Sequence, residues 1–179
     1  MSNPGVEALS RVLGSPRNLD VAWTAPKEPL PASELAVVLE EGLREREWFV
    51  TGRILPQYFA DNFVFKDPDV SVQGVRAYSE GVSRLFADES RAEILNCSLR
   101  GDTFGVTWRL SGGARLGPFV VRIKPYIVYT DFLIEDGLVS FQEDRFSIPS
   151  WDILLSAVAP WLPFLAPPAP PVVVEEEEE

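Results

Sequence analysis

Apolar residues recur at spacings of three and four after residue 33 and at spacings of two after residue 91, dividing the chain into a helical front half and a strand-rich back half. Leu35, Val38, Leu39, Leu43 and Phe49/Val50 mark one side of a helix that Ser33 is placed to cap, with Glu40, Glu41, Arg44 and Glu45 turned outward. A second short helix fits Leu55 to Ala60, and Phe63-Val64-Phe65 reads as a short strand that stops at Asp67-Pro68. After Gly74, Val75, Tyr78, Val82, Leu85 and Phe86 share one helix face, and Arg76, Glu80 and Arg84 take the other.

Four strands follow: Arg91 to Arg100, Thr103 to Leu110, Pro118 to Ile134 and Leu138 to Phe146. Gly101-Asp102, Ser111 to Gly113 and Glu135-Asp136-Gly137 supply the turns, so antiparallel pairing is expected. Phe104, Val106, Trp108 and Leu110 alternate with Thr103, Gly105, Thr107 and Arg109, giving a sheet with one apolar and one wet face. In the third strand Phe119, Val121, Ile123, Ile127 and Tyr129 share one parity and Arg122, Lys124 and Tyr126 the other, with Pro125 a candidate bulge that would flip the phase. A last helix fits Ser150 to Ala159. Residues 1–32 read as an extended Pro-containing arm with one helical turn through Val6, Leu9 and Val12, residues 33–159 as the domain, and residues 160–179 as a Pro-rich acidic tail. Helices first and strands after predict an α+β fold: a curved antiparallel sheet packed against N-terminal helices, with a pocket between the layers.

At 179 residues, 46% hydrophobic, the chain supports a single core. A net charge of −11 repels phosphate backbones and anionic membranes, so nucleic acid is not an expected ligand; Glu175 to Glu179 carry five of the negatives. No apolar run approaches the ~20 residues of a membrane span. Glu7 and Asp20 interrupt any transit-peptide bias, and a soluble intracellular protein is expected, in the cytoplasm or an organelle stroma. Histidine is absent, which leaves acid–base chemistry to carboxylates, tyrosines or lysines. Cys97 reads as a small buried apolar residue. Glu135 with Asp136, and Glu143 with Asp144, read as solvated acids rather than metal ligands. Gly112-Gly113-Ala114 lacks the context of a phosphate cradle. No metal or cofactor is expected.

The run Tyr58-Phe59-Ala60-Asp61-Asn62-Phe63-Val64-Phe65-Lys66-Asp67-Pro68, followed by Gly74 and a helix containing Tyr78, resembles the corresponding region of SnoaL-like proteins and ketosteroid isomerase, in the nuclear transport factor 2-like superfamily. Phe65-Lys66-Asp67-Pro68, Thr107-Trp108-Arg109-Leu110 and Gln142-Glu143-Asp144 are also similar to an uncharacterised SnoaL-like family of plants and algae, which would make a plastid location natural. The resemblance implies a cone-shaped fold over about residues 33–159. It also places the isomerase's general base on Asp67. The same carboxylate, between Phe65 and Pro68, could equally cap the following turn. The isomerase's helix tyrosine falls on Leu43 by family spacing and is missing, and its late-strand acid falls on Tyr129, which could donate into the pocket or be a core tyrosine.

Two functions fit these features. One is a non-catalytic module that holds a small apolar ligand, or docks on a protein partner or a second copy through its sheet face and arms; Trp161, Phe164 and Leu165 beside prolines suit an interface or fold back on the sheet. The other is a small isomerase, cyclase or dehydratase of an apolar carbonyl compound, with Asp67 moving a proton and Tyr129 steadying the oxyanion. Tyr58, Phe65, Phe104, Trp108 and Phe141 are expected to line the pocket in either case. An open cavity of several hundred Å³ faced by Asp67 would favour ligand binding or chemistry.

Overall fold

The computed structural model describes residues 19–170; the helical turn expected through Val6, Leu9 and Val12 and the Glu175–Glu179 run lie outside them. Helix α1 (Ala32–Arg46) buries Leu35, Ala36, Leu39, Gly42 and Leu43. It starts earlier than the capping pattern suggests: Pro31 holds the cap position, no side chain caps the first turn, and Ser33 is exposed inside the helix. The helix also does not run on to Val50. Continued straight, α1 would bury only the side that carries Leu35, Leu39 and Leu43. A left-handed turn at Glu47, φ 47°, ends α1 and starts the short α2 (Trp48–Thr51), so that Trp48, Phe49 and Val50 all enter the core.

The helix expected over Leu55 to Ala60 shrinks to a 3-10 turn at Pro56–Tyr58, because Phe59 already belongs to β1 (Phe59–Lys66), fully buried and paired with Val139. Lys27 Nζ donates to the carbonyls of Phe59 (2.6 Å) and Pro56 (3.3 Å), and the Leu30 N–H donates to Gly137 O (3.0 Å). These bonds tie residues 27–30 of the arm to the domain.

Strand β2 (Ser71–Gln73) pairs antiparallel with β1, and Gly74 leads into α3 (Val75–Leu85). Then β3 (Arg91–Arg100), β4 (Thr103–Leu116), β5 (Phe119–Glu135) and β6 (Leu138–Phe146) form an antiparallel meander. The six-stranded sheet has the order β2-β1-β6-β5-β4-β3. Because β1 lies parallel to β6, the sheet is mixed rather than wholly antiparallel.

Two features of the meander decide which side chains face inward. The stretch Ser111 to Gly113 is not a turn: β4 continues to Leu116, and the turn falls at Gly117-Pro118. Gly112, φ 124°, instead presses against the loop before β3, where an added Cβ would stand 2.4 Å from Ser90 Cα. Opposite it, Leu110 pairs with Tyr126 and Gly112 with Ile123, so β5 carries one extra residue around Pro125. That bulge passes the inward parity from Ile123 to Tyr126, Val128, Thr130, Phe132 and Ile134. A second irregularity, between the pairs Leu133–Phe141 and Ile134–Val139, places the extra residue of β6 at Ser140.

Helices α1 to α3 close over the sheet face that carries Trp108, against which Phe49 stacks at 4.5 Å. Helix α4 (Ser150–Val158) packs on β5, and the chain beyond it is bonded back to the domain. The Ala166 N–H donates to Asp152 (2.8 Å), Lys124 donates to Ala166 O (2.6 Å), the Ala169 N–H donates to Pro125 O (2.8 Å), and Arg109 donates to Pro170 O.

Gly52 fixes how α3 sits. Its φ is 73°, its carbonyl accepts a hydrogen bond from the buried Ser79 hydroxyl, and an added Cβ would stand 2.3 Å from Ser79 O. Gly52→Ala is therefore expected to cost upward of about 2 kcal/mol by denaturant unfolding; a loss below about 0.5 kcal/mol would show that this contact does not set the helix position.

Candidate active site

A cavity of about 320 Å³ lies between α3, the Asp67–Val72 turn and the inner sheet face. Its walls are mostly apolar: Phe65 from β1, Val82 and Leu85 from α3, Trp108 and Leu110 from β4, and Val128 from β5. Six polar residues break that apolar lining: Asp67, Tyr78, Glu80, Arg84, Tyr126 and Asp144.

Asp144 is the chemically unusual one. It is buried, and no cation pairs with it among the described residues. The Trp108 indole N–H donates to Thr130 Oγ1 (2.9 Å), and the Thr130 hydroxyl donates to Asp144 Oδ1 (2.7 Å). Gln142 Nε2 donates to the same oxygen (3.2 Å) and to the Tyr78 hydroxyl oxygen (3.1 Å). Burial pushes the Asp144 carboxyl up to about 7; the bonds from Thr130 and Gln142 pull it down, and the charges of Asp67 and Asp131 push it further up.

Burial, then the Asp144 charge, raises both Tyr78 and Tyr126, so both hydroxyls stay protonated. Because Gln142 donates to the Tyr78 oxygen, the tyrosine's own hydrogen is free to be donated elsewhere. The Tyr126 hydroxyl has no hydrogen-bond partner among the described residues and borders the cavity.

Asp67 has both features read from its sequence. It lines the cavity, and its Oδ1 accepts the N–H groups of Asp69 (2.8 Å) and Val70 (2.6 Å), which is a turn cap. Burial raises its pKa, and the two backbone bonds oppose the rise.

The other expected site residues divide. Phe65 and Trp108 line the cavity. Phe104 points to the same face as Trp108, but four residues along a strand carry it about 13 Å away, into the core beside Phe132 at 6.1 Å. Tyr58 lies in the 3-10 turn and bonds Glu28 in the arm (3.1 Å). Phe141 is half-buried on the opposite face, because the Ser140 bulge turns Gln142 and Asp144 inward in its place. Tyr129, 43% exposed, also faces away, since the Pro125 bulge puts Tyr126 inside. Tyr129 is therefore not an oxyanion donor to this cavity.

Asp144 is likewise not the solvated acid expected from its neighbours. Its parity with Gln142 and Phe146 was visible in the sequence, but the bulge that points this set inward was not. In the tail, Leu165 is half-buried while Trp161 (76%) and Phe164 (60%) remain exposed, even though the backbone around them is bonded back to the domain. Burial, then Glu40, pushes the half-buried Cys97 thiol up to about 11, which makes it a poor nucleophile. Among the described residues, no group of three or more His, Cys, Asp or Glu side chains could hold a metal ion, and no helix is long and apolar enough to cross a membrane.

Helices closed over one face of an unclosed sheet, with a cavity between them, define the cone-shaped α+β fold of SnoaL-like, nuclear transport factor 2-like proteins. A candidate SnoaL-like polyketide cyclase from Jannaschia sp. has this fold with a TM-score of 0.56, covering 75% of this chain and 99% of its own at 16% identity. A candidate ketosteroid isomerase from Kribbella flavida gives 0.50 over 83% of this chain and 87% of its own, also at 16% identity. An uncharacterised cystatin-fold protein from Novosphingobium aromaticivorans gives 0.51 over 64% and 97%, at 14%. At these identities the likeness is one of fold. No family model matches the chain, and no curated protein matches it in sequence.

The raised pKa of Asp144 has a thermodynamic consequence. With a folded pKa of about 7 against about 3.9 in the unfolded chain, the folded state holds this proton more tightly. The resulting stability is fully present below about pH 4 and is lost as the pH rises to about 7. Asp144→Asn stays neutral throughout and can keep the bond from Thr130. The unfolding free energy of the wild type relative to this variant should therefore fall by a few kcal/mol between about pH 4 and pH 7, then level off. Parallel stability curves for the two proteins would place the Asp144 carboxyl at an ordinary pKa.

Proposed function

We propose that the protein is a small acid–base enzyme that moves a proton next to the carbonyl group of an apolar compound, as in an isomerisation, cyclisation or dehydration. The observation that carries this reading is Asp144: a carboxyl buried in the wall of an apolar cavity, held by Thr130 and Gln142 with no paired cation, where burial pushes its pKa up to about 7. A general base works best when its pKa is near the operating pH. The solved structures that share the fold include candidate cyclase and ketosteroid isomerase proteins, which is consistent with such chemistry.

In the proposed reaction, ionised Asp144 takes a proton from the carbon beside the carbonyl. The C–H electron pair moves into the new C=C bond, and the carbonyl π pair moves onto oxygen. The enolate oxygen receives hydrogen bonds from Tyr78 and Tyr126, which replace the missing helix tyrosine and the outward-facing Tyr129. Where the substrate carries a C=C at the β,γ position, the enolate is a dienolate: the oxygen pair re-forms the carbonyl, the double bond moves to α,β, and the γ-carbon takes the proton back from protonated Asp144, completing an isomerisation with no net change in protons. Gln142 positions two of the participants by holding the Asp144 and Tyr78 oxygens with one amide. This reading moves the base role from Asp67 to Asp144. Asp67 holds the turn, and its charge helps keep Asp144 basic. A partly open cavity with a buried carboxylate in its wall favours chemistry over a purely scaffolding role.

Deuterium uptake from D₂O at the α-carbon of 2-tetralone, followed by proton NMR, tests the reading with a compound of suitable size. The wild type should accelerate exchange, with a rate that rises through about pH 7 as Asp144 ionises. Asp144→Asn should lower the protein-dependent rate by about 10²- to 10⁴-fold. Asp67→Asn should keep activity and shift the profile to lower pH, because removing a neighbouring negative charge lowers the pKa of Asp144. Absence of protein-dependent exchange, or an Asp144→Asn variant as fast as the wild type, would refute the proposal.

A further inference from the structure

Arg84 stands in the last turn of α3, and its side chain lines the cavity. Its Nε is buried with no hydrogen-bond partner. Its one ionic contact among the described residues is weak: Nη2 lies 3.8 Å from Glu80 Oε2, beyond hydrogen-bond reach. Glu80 is already engaged, because its Oε1 accepts a hydrogen bond from Arg76 Nε at 3.0 Å. Neither Asp67 nor Asp144 forms an ion pair with Arg84. A guanidinium cannot lose its proton, so the wall of this apolar cavity carries a permanent cation with a desolvated donor and no acceptor of its own. Buried polar groups in folded proteins are nearly always satisfied, and an exception calls for an explanation.

We infer that the cavity takes an amphipathic carboxylic acid, with its apolar body against Trp108 and Leu85 and its carboxylate held by the Nε and Nη2 edge of Arg84. That edge presents two parallel donors, which a carboxylate matches with both oxygens. An entering carboxylate replaces the 3.8 Å contact with Glu80, whose charge remains neutralised by Arg76. The structural alternative is that Arg84 only complements the C-terminal end of α3 and the charge of Glu80; that reading explains the charge of Arg84 but leaves its buried Nε without an acceptor. The inference rests on the cavity being the ligand site proposed above. It adds the chemical class of the ligand: an acid that carries its reacting carbonyl at a distance from its carboxylate.

Equilibrium titration with 2-naphthylacetate and its neutral amide, 2-naphthylacetamide, at pH 7.5 separates the charge from the apolar body. The wild type should bind the acid at least about tenfold more tightly than the amide, since a hydrogen bond to a charged group is worth about ten- to a hundredfold in affinity. Arg84→Met should remove that preference by weakening the acid far more than the amide, whose retained binding also reports that the cavity is intact. Arg84→Lys, which keeps the charge but loses the paired donors, should fall between them. Equal binding of acid and amide by the wild type, an unchanged acid preference in Arg84→Met, or no binding of either compound would overturn the inference. Because binding is measured without turnover, a protein that prefers the acid but exchanges no α-proton would refute the catalytic reading alone.

Discussion

A carboxylate held in an apolar cavity with no cation paired to it is the constraint around which this site is organised. Moving Asp144 out of water penalises its charged form, and only two neutral donors, Thr130 and Gln142, offset the penalty. A lysine or arginine at that position would stabilise the charge and pull the pKa down, removing the group's usefulness as a proton carrier near neutrality. The neutral donors leave the balance close to even. The same amide that steadies Asp144 also orients Tyr78, and the Trp108 indole orients Thr130, so the polar chain runs through side chains fixed by the core.

The rest of the fold keeps that chain dry and in place. Phe49 stacks on Trp108 because the left-handed turn at Glu47 redirects the chain into the core. Helix α3 brings both Tyr78 and Arg84 to the cavity wall, and the Gly52–Ser79 contact fixes its distance from α2. Sheet curvature and the bulges at Pro125 and Ser140 then aim the side chains of β5 and β6 at the space beneath the helix. A cavity made in this way belongs to the fold's architecture. Its chemistry depends on which residues the bulges turn inward.

That dependence explains what could be read from the sequence. Periodicity identified the helical front half, placed β3 and β6 at their observed limits and anticipated the bulge at Pro125, because these signals are local. The resemblance that rests on Phe65-Lys66-Asp67-Pro68 led to the correct fold and to a residue on the cavity. It could not supply Asp144 or Tyr126, since strand parity identifies an inward face only until an extra residue intervenes. Read without the bulge at Ser140, β6 turns Val139 and Phe141 inward; with it, Val139 stays in the core while Phe141 gives way to Gln142 and Asp144. The break of α1 at Glu47 and the parallel pairing of β1 with β6 were hidden for a related reason: both are set by tertiary packing.

The most direct test of the account is to observe the proton on Asp144 itself. In protein labelled with carbon-13 at aspartate carboxyls, with the Asp144 resonance assigned by its absence from Asp144→Asn, the chemical shift followed between pH 3 and pH 9 reports the titration of that one group. The account predicts a midpoint of about 7. A midpoint near 4, the value of an ordinary solvated carboxylate, would contradict it.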